Sequence, residues 1–143
     1  MINSKTYPAV IHATLALNAS TAAPFYDVNI QQRLCHCACV DERPIFKPAF
    51  SVLAVEPVGQ NQYLIYLQVE GVASYVPCGC GSCSTKSQVI AQGFTIPVYS
   101  TANITGATVA AGQTQNMIVR TSCKSCSNVM ESDTPITLTF ITS

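Results

Sequence analysis

Phe50-Ser-Val-Leu-Ala-Val55 and Gln62-Tyr-Leu-Ile-Tyr-Leu-Gln-Val69, joined by Pro57-Val-Gly59-Gln-Asn61, decide the fold class. Both runs are rich in β-branched and aromatic residues, which suit a pleated, half-buried surface. The joint is built of residues that favour turns, so the stretch predicts a β-hairpin. The following run, residues 71–76, continues or pairs with it.

The same grammar extends in both directions. Residues 9–17 alternate, with Ile11, Ala13, Leu15 and Leu17 on one side and His12, Thr14 and Ala16 on the other, predicting a half-buried strand. After the small-residue stretch 18–23 and the breaker Pro24, residues 25–39 read as a second extended segment, and Pro44 and Pro48 bracket a bend. Further short strands are predicted at 89–99, 104–110 and 116–121, separated by Gly106 and Gly112. The last run, Ile136-Thr-Leu-Thr-Phe140, puts Ile136, Leu138 and Phe140 on the buried side. About eight short strands with proline or glycine at the joints, and no amphipathic helix, predict an all-β chain. The architecture expected is one β-sandwich or jelly-roll-like domain over residues 24–143, preceded by an N-terminal arm and linker over residues 1–23.

Composition narrows the function. The 143 residues hold seven Lys plus Arg, seven Asp plus Glu and 48 % apolar residues, for a formal net charge of zero. Charged residues make up 10 % of the chain, against roughly 25 % in a typical soluble domain. With so little like-charge repulsion, such a surface favours association, and the expected partner is a copy of the chain itself. The cations are spread singly, without the basic stripe that nucleic acid requires, so no nucleic-acid partner is expected. No run approaches 18 apolar residues, so no membrane helix is expected. Lys5 followed by the interrupted apolar run 9–17 does not make a secretory signal, which predicts a protein made without a cleavable signal peptide.

Against that background stand eight cysteines in three clusters: Cys35-His36-Cys37-Ala38-Cys39, Cys78-Gly-Cys80-Gly-Ser-Cys83 and Cys123-Lys-Ser-Cys126. Clusters of this kind either grip a metal or become cross-links. If the first lies on a strand, the period of two puts Cys35, Cys37 and Cys39 on one face like the teeth of a comb. Neighbouring teeth would have Cα atoms about 6.6 Å apart and nearly parallel Cβ vectors, whereas a disulfide needs Cβ atoms converging to about 3.8 Å. The comb is therefore expected to pair with another segment or another chain. The alternative is a zinc site, for which Cys80, Cys83, Cys123 and Cys126 supply two pairs with the usual two-residue spacing and His36 a further donor. An iron–sulfur centre is a variant of that reading, and free thiols are the third state. Disulfides come first because the zinc set leaves four thiols over, and the expected cofactor is then none.

Catalytic constellations are not expected. On a strand His36 points away from its cysteine neighbours, and His12 falls on the polar side of its run. Asp41 and Glu42, and Glu131 and Asp133, read as solvated turns. Nothing in the sequence sets a nucleophile, a base and an orienting group together, so neither a catalytic residue nor a small-molecule substrate is expected.

The stretch Val69-Glu-Gly71-Val-Ala-Ser-Tyr75-Val, with Gln88-Val-Ile90 and Phe94-Thr-Ile-Pro97-Val, resembles the strand pattern of the SPOCS domains of spore-coat and spore-assembly proteins. The cysteine clusters are not part of that pattern. They are similar instead to those of endospore appendage subunits, jelly-roll proteins without signal peptides that stack into fibres with an N-terminal arm and inter-subunit disulfides. In those the arm cysteines lie close to the N-terminus, whereas here the first is Cys35. The resemblance implies a structural spore-surface protein. The expectation is a self-assembling subunit of an extracellular or spore-surface fibre or layer, locked by disulfides, with Ile11, Ala13, Leu15 and Leu17 on the assembly arm. The alternatives are a metal-binding β-domain and a phage particle subunit.

Overall fold

The computed structural model describes residues 9–15, 24–33, 45–75, 86–122 and 127–143. They form nine strands and, among the described residues, no helix: β1 (Val10–Leu15), β2 (Phe25–Arg33), β3 (Ile45–Phe46), β4 (Ala49–Gly59), β5 (Gln62–Tyr75), β6 (Lys86–Tyr99), β7 (Ile104–Ala111), β8 (Gln115–Ser122) and β9 (Ser127–Thr142). Two antiparallel sheets pack face to face as a sandwich.

In the first sheet β9 is central. β2 pairs with one of its edges from Val129 to Thr137, and β1 lies outside β2. The other edge is shared by β8, opposite residues 127–133, and β7, opposite residues 136–142. β7 and β8 are therefore one edge strand interrupted at residues 112–114. In the second sheet β5 is central, with β6 along its full length on one edge and β3 and β4 sharing the other. That edge is interrupted at Lys47-Pro48. Prolines and glycines sit at both breaks, where a missing donor or a missing Cβ lets an edge strand kink. In the first break Gly112 donates its N–H to the Pro135 carbonyl, opposite it on β9, at 2.8 Å. Opposite the second, Gly71 accepts the Phe46 ring so closely that an added Cβ would come within 2.5 Å of its Cε1.

The hairpin that set the fold class forms, with a tighter turn than the composition suggests. Pairing continues through Pro57 to Gly59↔Gln62, leaving a turn at Gln60 and Asn61, and Asn61 takes the left-handed backbone conformation at φ 59°. Asn is among the few residues that tolerate this. Register shifts between Val52 and Ala54 and between Pro57 and Gly59 each leave one residue of β4 unpaired. Residues 71–75 continue β5 as part of the same strand.

The two faces interlock through period-two alternation. The first sheet contributes Val28, Ile30, Met130, Ile136 and Leu138, and the second Phe46, Ile65, Leu67, Val69, Ala73, Ile90 and Ile96. Fully burying side chains of this size stabilises by roughly 1.5–3 kcal/mol each. Along one flank β4 lies against β7. Along the other, the Gln92 side chain mimics a strand: its Oε1 accepts from Ala9 N at 2.7 Å and its Nε2 donates to Ala9 O at 2.6 Å. At one end of the sandwich the Tyr63 hydroxyl contacts the Ala102 carbonyl at 3.3 Å and the Asn103 Oδ1 at 3.4 Å.

Candidate functional site

The opposite end of the sandwich gathers the strand ends that matter. Arg33 ends β2 opposite Val129, Tyr75 ends β5 opposite Lys86, and Ser122 and Ser127 pair at the close of β8 and the start of β9. Ile45 opens β3 opposite Ser74 at that same end. Two hydrogen bonds tie the sheets together here: Gln88 Nε2 donates to the Arg33 carbonyl at 3.0 Å, and Asn116 Nδ2 to the Phe46 carbonyl at 3.2 Å. The eight cysteines and His36 lie outside the described residues, but every described strand end that flanks a cluster is at this one end. Cys35 is two residues past Arg33, Cys78 three past Tyr75, Cys83 three before Lys86, and Cys123 and Cys126 adjoin Ser122 and Ser127.

Beside those ends, on the outer face of the second sheet, lies an apolar patch. Val72 and Val89 are register partners, 51 % and 73 % exposed. Ile45, opposite Ser74, is diagonal to Val72 and 64 % exposed. Opposed residues have Cβ atoms about 4.5–5.5 Å apart and diagonal ones about 7–8 Å, so the three side chains are contiguous. The charged groups of this face sit farther along it: Glu70 accepts from Gln68 Nε2 at 3.0 Å, and Glu56 from the Tyr66 hydroxyl at 2.6 Å. That last bond, with the carboxylate charge behind it, raises the Tyr66 pKa above its ordinary value.

Between the two edge-strand breaks runs a groove of about 450 Å³ lined by residues 45–48, 112–114 and Asn116. Its walls are mainly apolar, with polar side chains among them and on the sheet beneath. The Thr114 and Thr134 hydroxyls hydrogen-bond at 2.7 Å, while Asn116 Oδ1 and the hydroxyl of its register partner Ser132 are buried without a protein partner.

The remaining sequence-designated residues are placed as follows. Ile11, Ala13 and Leu15 lie on β1, which pairs with β2 of its own chain from Val10↔Gln31 to Leu15↔Tyr26. Ile11 and Ala13 pack on the core, whereas Leu15 is 54 % exposed. Leu17 lies outside the described residues, as do Asp41 and Glu42. His12 is exposed and opposite Asn29, whose Nδ2 bridges Glu131 Oε1 and Asp133 Oδ1, both at 2.9 Å. Glu131 and Asp133, read from sequence as a solvated turn, are instead on β9, since the strand continues through Pro135, which lies opposite the break between β7 and β8. Among the described residues no three His, Cys, Asp or Glu side chains are grouped to hold a metal ion. No described helix is long and apolar enough to cross a membrane.

Sequence reasoning missed two features. Gln92 gives no signal in a β-rich run, because its role depends on Ala9, 83 residues earlier. Val72, Val89 and Ile45 each read as ordinary strand residues, and only the register makes them neighbours. Compared with known proteins, the chain matches no family model, no curated protein and no solved structure.

Proposed function

We propose that this chain is a structural subunit that assembles with copies of itself into an extracellular or spore-surface fibre or layer, covalently stabilised by disulfides. The observation that carries the reading is a juxtaposition. The exposed Ile45, Val72 and Val89 patch lies at the same end of the sandwich as every strand end that flanks a cysteine cluster. Contact between copies would bury apolar surface there and bring thiols of two chains together. The low charge of the chain supports the reading, because little repulsion opposes dense packing of identical subunits. Disulfides between subunits would then make dissociation require bond cleavage, turning a weak contact into a kinetically permanent one.

On this reading no residue turns over a substrate, no metal is needed, and the partner is the chain itself. Electrophoresis of boiled, unreduced material tests it. A ladder, or material too large to enter the gel, collapsing to one band of about 15.2 kDa with reductant, is the expected result. A single monomer band with and without reductant overturns the cross-linking claim. Stoichiometric zinc or iron, lost together with structure on chelation, would establish the metal-binding reading in its place, because the binding energy of a structural metal site is also folding energy.

A further inference from the structure

The apolar patch is one end of a longer pattern on the second sheet. Among the described residues ten large apolar side chains are exposed, and six of them, Ile45, Leu53, Val58, Val72, Val89 and Tyr99, belong to this sheet. The edge made by β3 and β4 keeps one register across its break, because Ile45↔Ser74 before it and Ala49↔Glu70 after it are four residues apart on both strands. Lys47, which is exposed, therefore stands opposite Val72 and alternates onto the same face as Ile45 and Ala49. With Glu56 and Glu70 it makes three charges among the described residues of that face, one of them positive.

Their positions are matched about a single row, Ser51↔Gln68↔Gly93. Val72 lies four residues from Gln68 in one direction along β5, with Lys47 and Val89 beside it; Leu64 lies four residues away in the other, with Glu56 and Pro97 beside it. A two-fold axis in the plane of contact, over Gln68 and at right angles to the strands, exchanges those two rows between copies. Val72 then meets Leu64 and Val89 meets Pro97, while Lys47 of each copy meets Glu56 of the other. The axis itself crosses only uncharged residues, and Glu70 comes opposite Tyr66. An axis along the strands would instead set the Glu70 carboxylates of the central strands against each other, so charge selects the first arrangement.

We infer that the outer face of the second sheet is a self-complementary interface, on which a second copy of the chain packs face to face with its strands reversed. This pairing rests on the self-assembly proposed above and names the surface that mediates it. The area suffices. β5 has 14 residues, and at about 3.3 Å per residue and about 4.8 Å between strands a face three strands deep covers about 650 Å² per copy. A pair buries about 1,300 Å², inside the roughly 1,200–2,000 Å² of a specific interface. Reversal of the strands also sends the cysteine-flanking ends of the two copies to opposite extremities of the pair. The patch is then covered within a pair, and thiols of two chains meet where one pair abuts the next, so disulfides join pairs in series.

Sedimentation equilibrium of the full chain in reductant, over a dilution series reaching about 1 mM, separates this contact from any disulfide. The unmutated chain is expected to move from 15.2 kDa towards twice that mass as concentration rises. Gly93→Lys sets two like charges on the axis, at a position where an added Cβ meets nothing nearer than 3.6 Å. It is expected to raise the dissociation constant at least about tenfold. Lys47→Glu and Glu56→Lys are each expected to weaken pairing about tenfold, and together to return it to within about threefold of the unmutated value, a rescue that misfolding would not give. Val10→Lys, on the outer face of the first sheet, is expected to change nothing. A double variant no tighter than the single ones, unaltered pairing in Gly93→Lys, or equal weakening by Val10→Lys overturns the inference. A reduced chain that stays at 15.2 kDa throughout overturns it too; if unreduced material still forms the ladder, the cross-linked subunit stands without this face. Reversible pairing with no ladder keeps the face and removes the cross-linking.

Discussion

Gly71→Ala is a small change whose sign the structure decides. In a strand interior, replacing glycine by alanine ordinarily stabilises by about 0.4–1 kcal/mol, because the unfolded chain loses conformational freedom. At Gly71 the new methyl would lie 2.5 Å from Phe46 Cε1 and 3.1 Å from the Lys47 carbonyl oxygen. Phe46 is 1 % exposed and held in the core by its neighbours, and the carbonyl belongs to backbone, so neither has a free direction in which to retreat. Overpacking of this kind costs about 1–3 kcal/mol, and at so close an approach the upper half of that range applies, which leaves a net loss of about 1–2.6 kcal/mol after the entropic gain. Gly93→Ala is the matched control. It too is in a strand, β6, but its added Cβ meets nothing nearer than the Leu67 carbonyl oxygen at 3.6 Å, an ordinary contact. That variant is expected to gain about 0.4–1 kcal/mol. Urea unfolding of the reduced, dispersed subunit reads both values, and Phe46→Leu in the Gly71→Ala background is expected to recover at least about 1 kcal/mol by coupling with the first change. If the two alanine variants shift stability alike, the close approach of Phe46 to Gly71 is not what fixes β3 on the sheet.

Gln92→Ala removes both hydrogen bonds to Ala9, so β1 is expected to lose about 1–3 kcal/mol of local stability, read as faster amide exchange at Val10–Leu15 with β5 unchanged. Leu138→Ala, at a position with no exposure in the centre of the first sheet, is expected to cost about 2–5 kcal/mol in global unfolding. Burial raises the Tyr26 pKa above its ordinary value, so the folded state binds its phenolic proton more tightly than the unfolded chain. That contribution is fully present below about pH 10 and is lost as pH rises through the folded pKa. Alkaline unfolding curves of the unmutated protein should fall more steeply than those of Tyr26→Phe, and identical curves would refute the assignment.

The fold class was legible because it depends on local periodicity. Ile136, Leu138, Ile65 and Leu67 are buried where alternation places them, and a pleated strand allows no other arrangement once one face is covered. The edge-strand breaks were legible in part, since Pro48 and Gly112 announce an interruption, but their consequence was not: β3 with β4, and β7 with β8, turn out to be single kinked edges. Composition likewise gave only an expectation of self-association, with no surface attached to it. The sequence by itself determined the strands and their buried faces, and it set out the cysteine clusters with their spacing. Only the tertiary structure decided that the described strand ends flanking all three clusters meet at one end and that Val72, Val89 and Ile45 form one patch. The physical reason is that these are facts of register and sheet order, set by contacts between residues far apart in the chain, and side-chain identity at any one position carries no record of them.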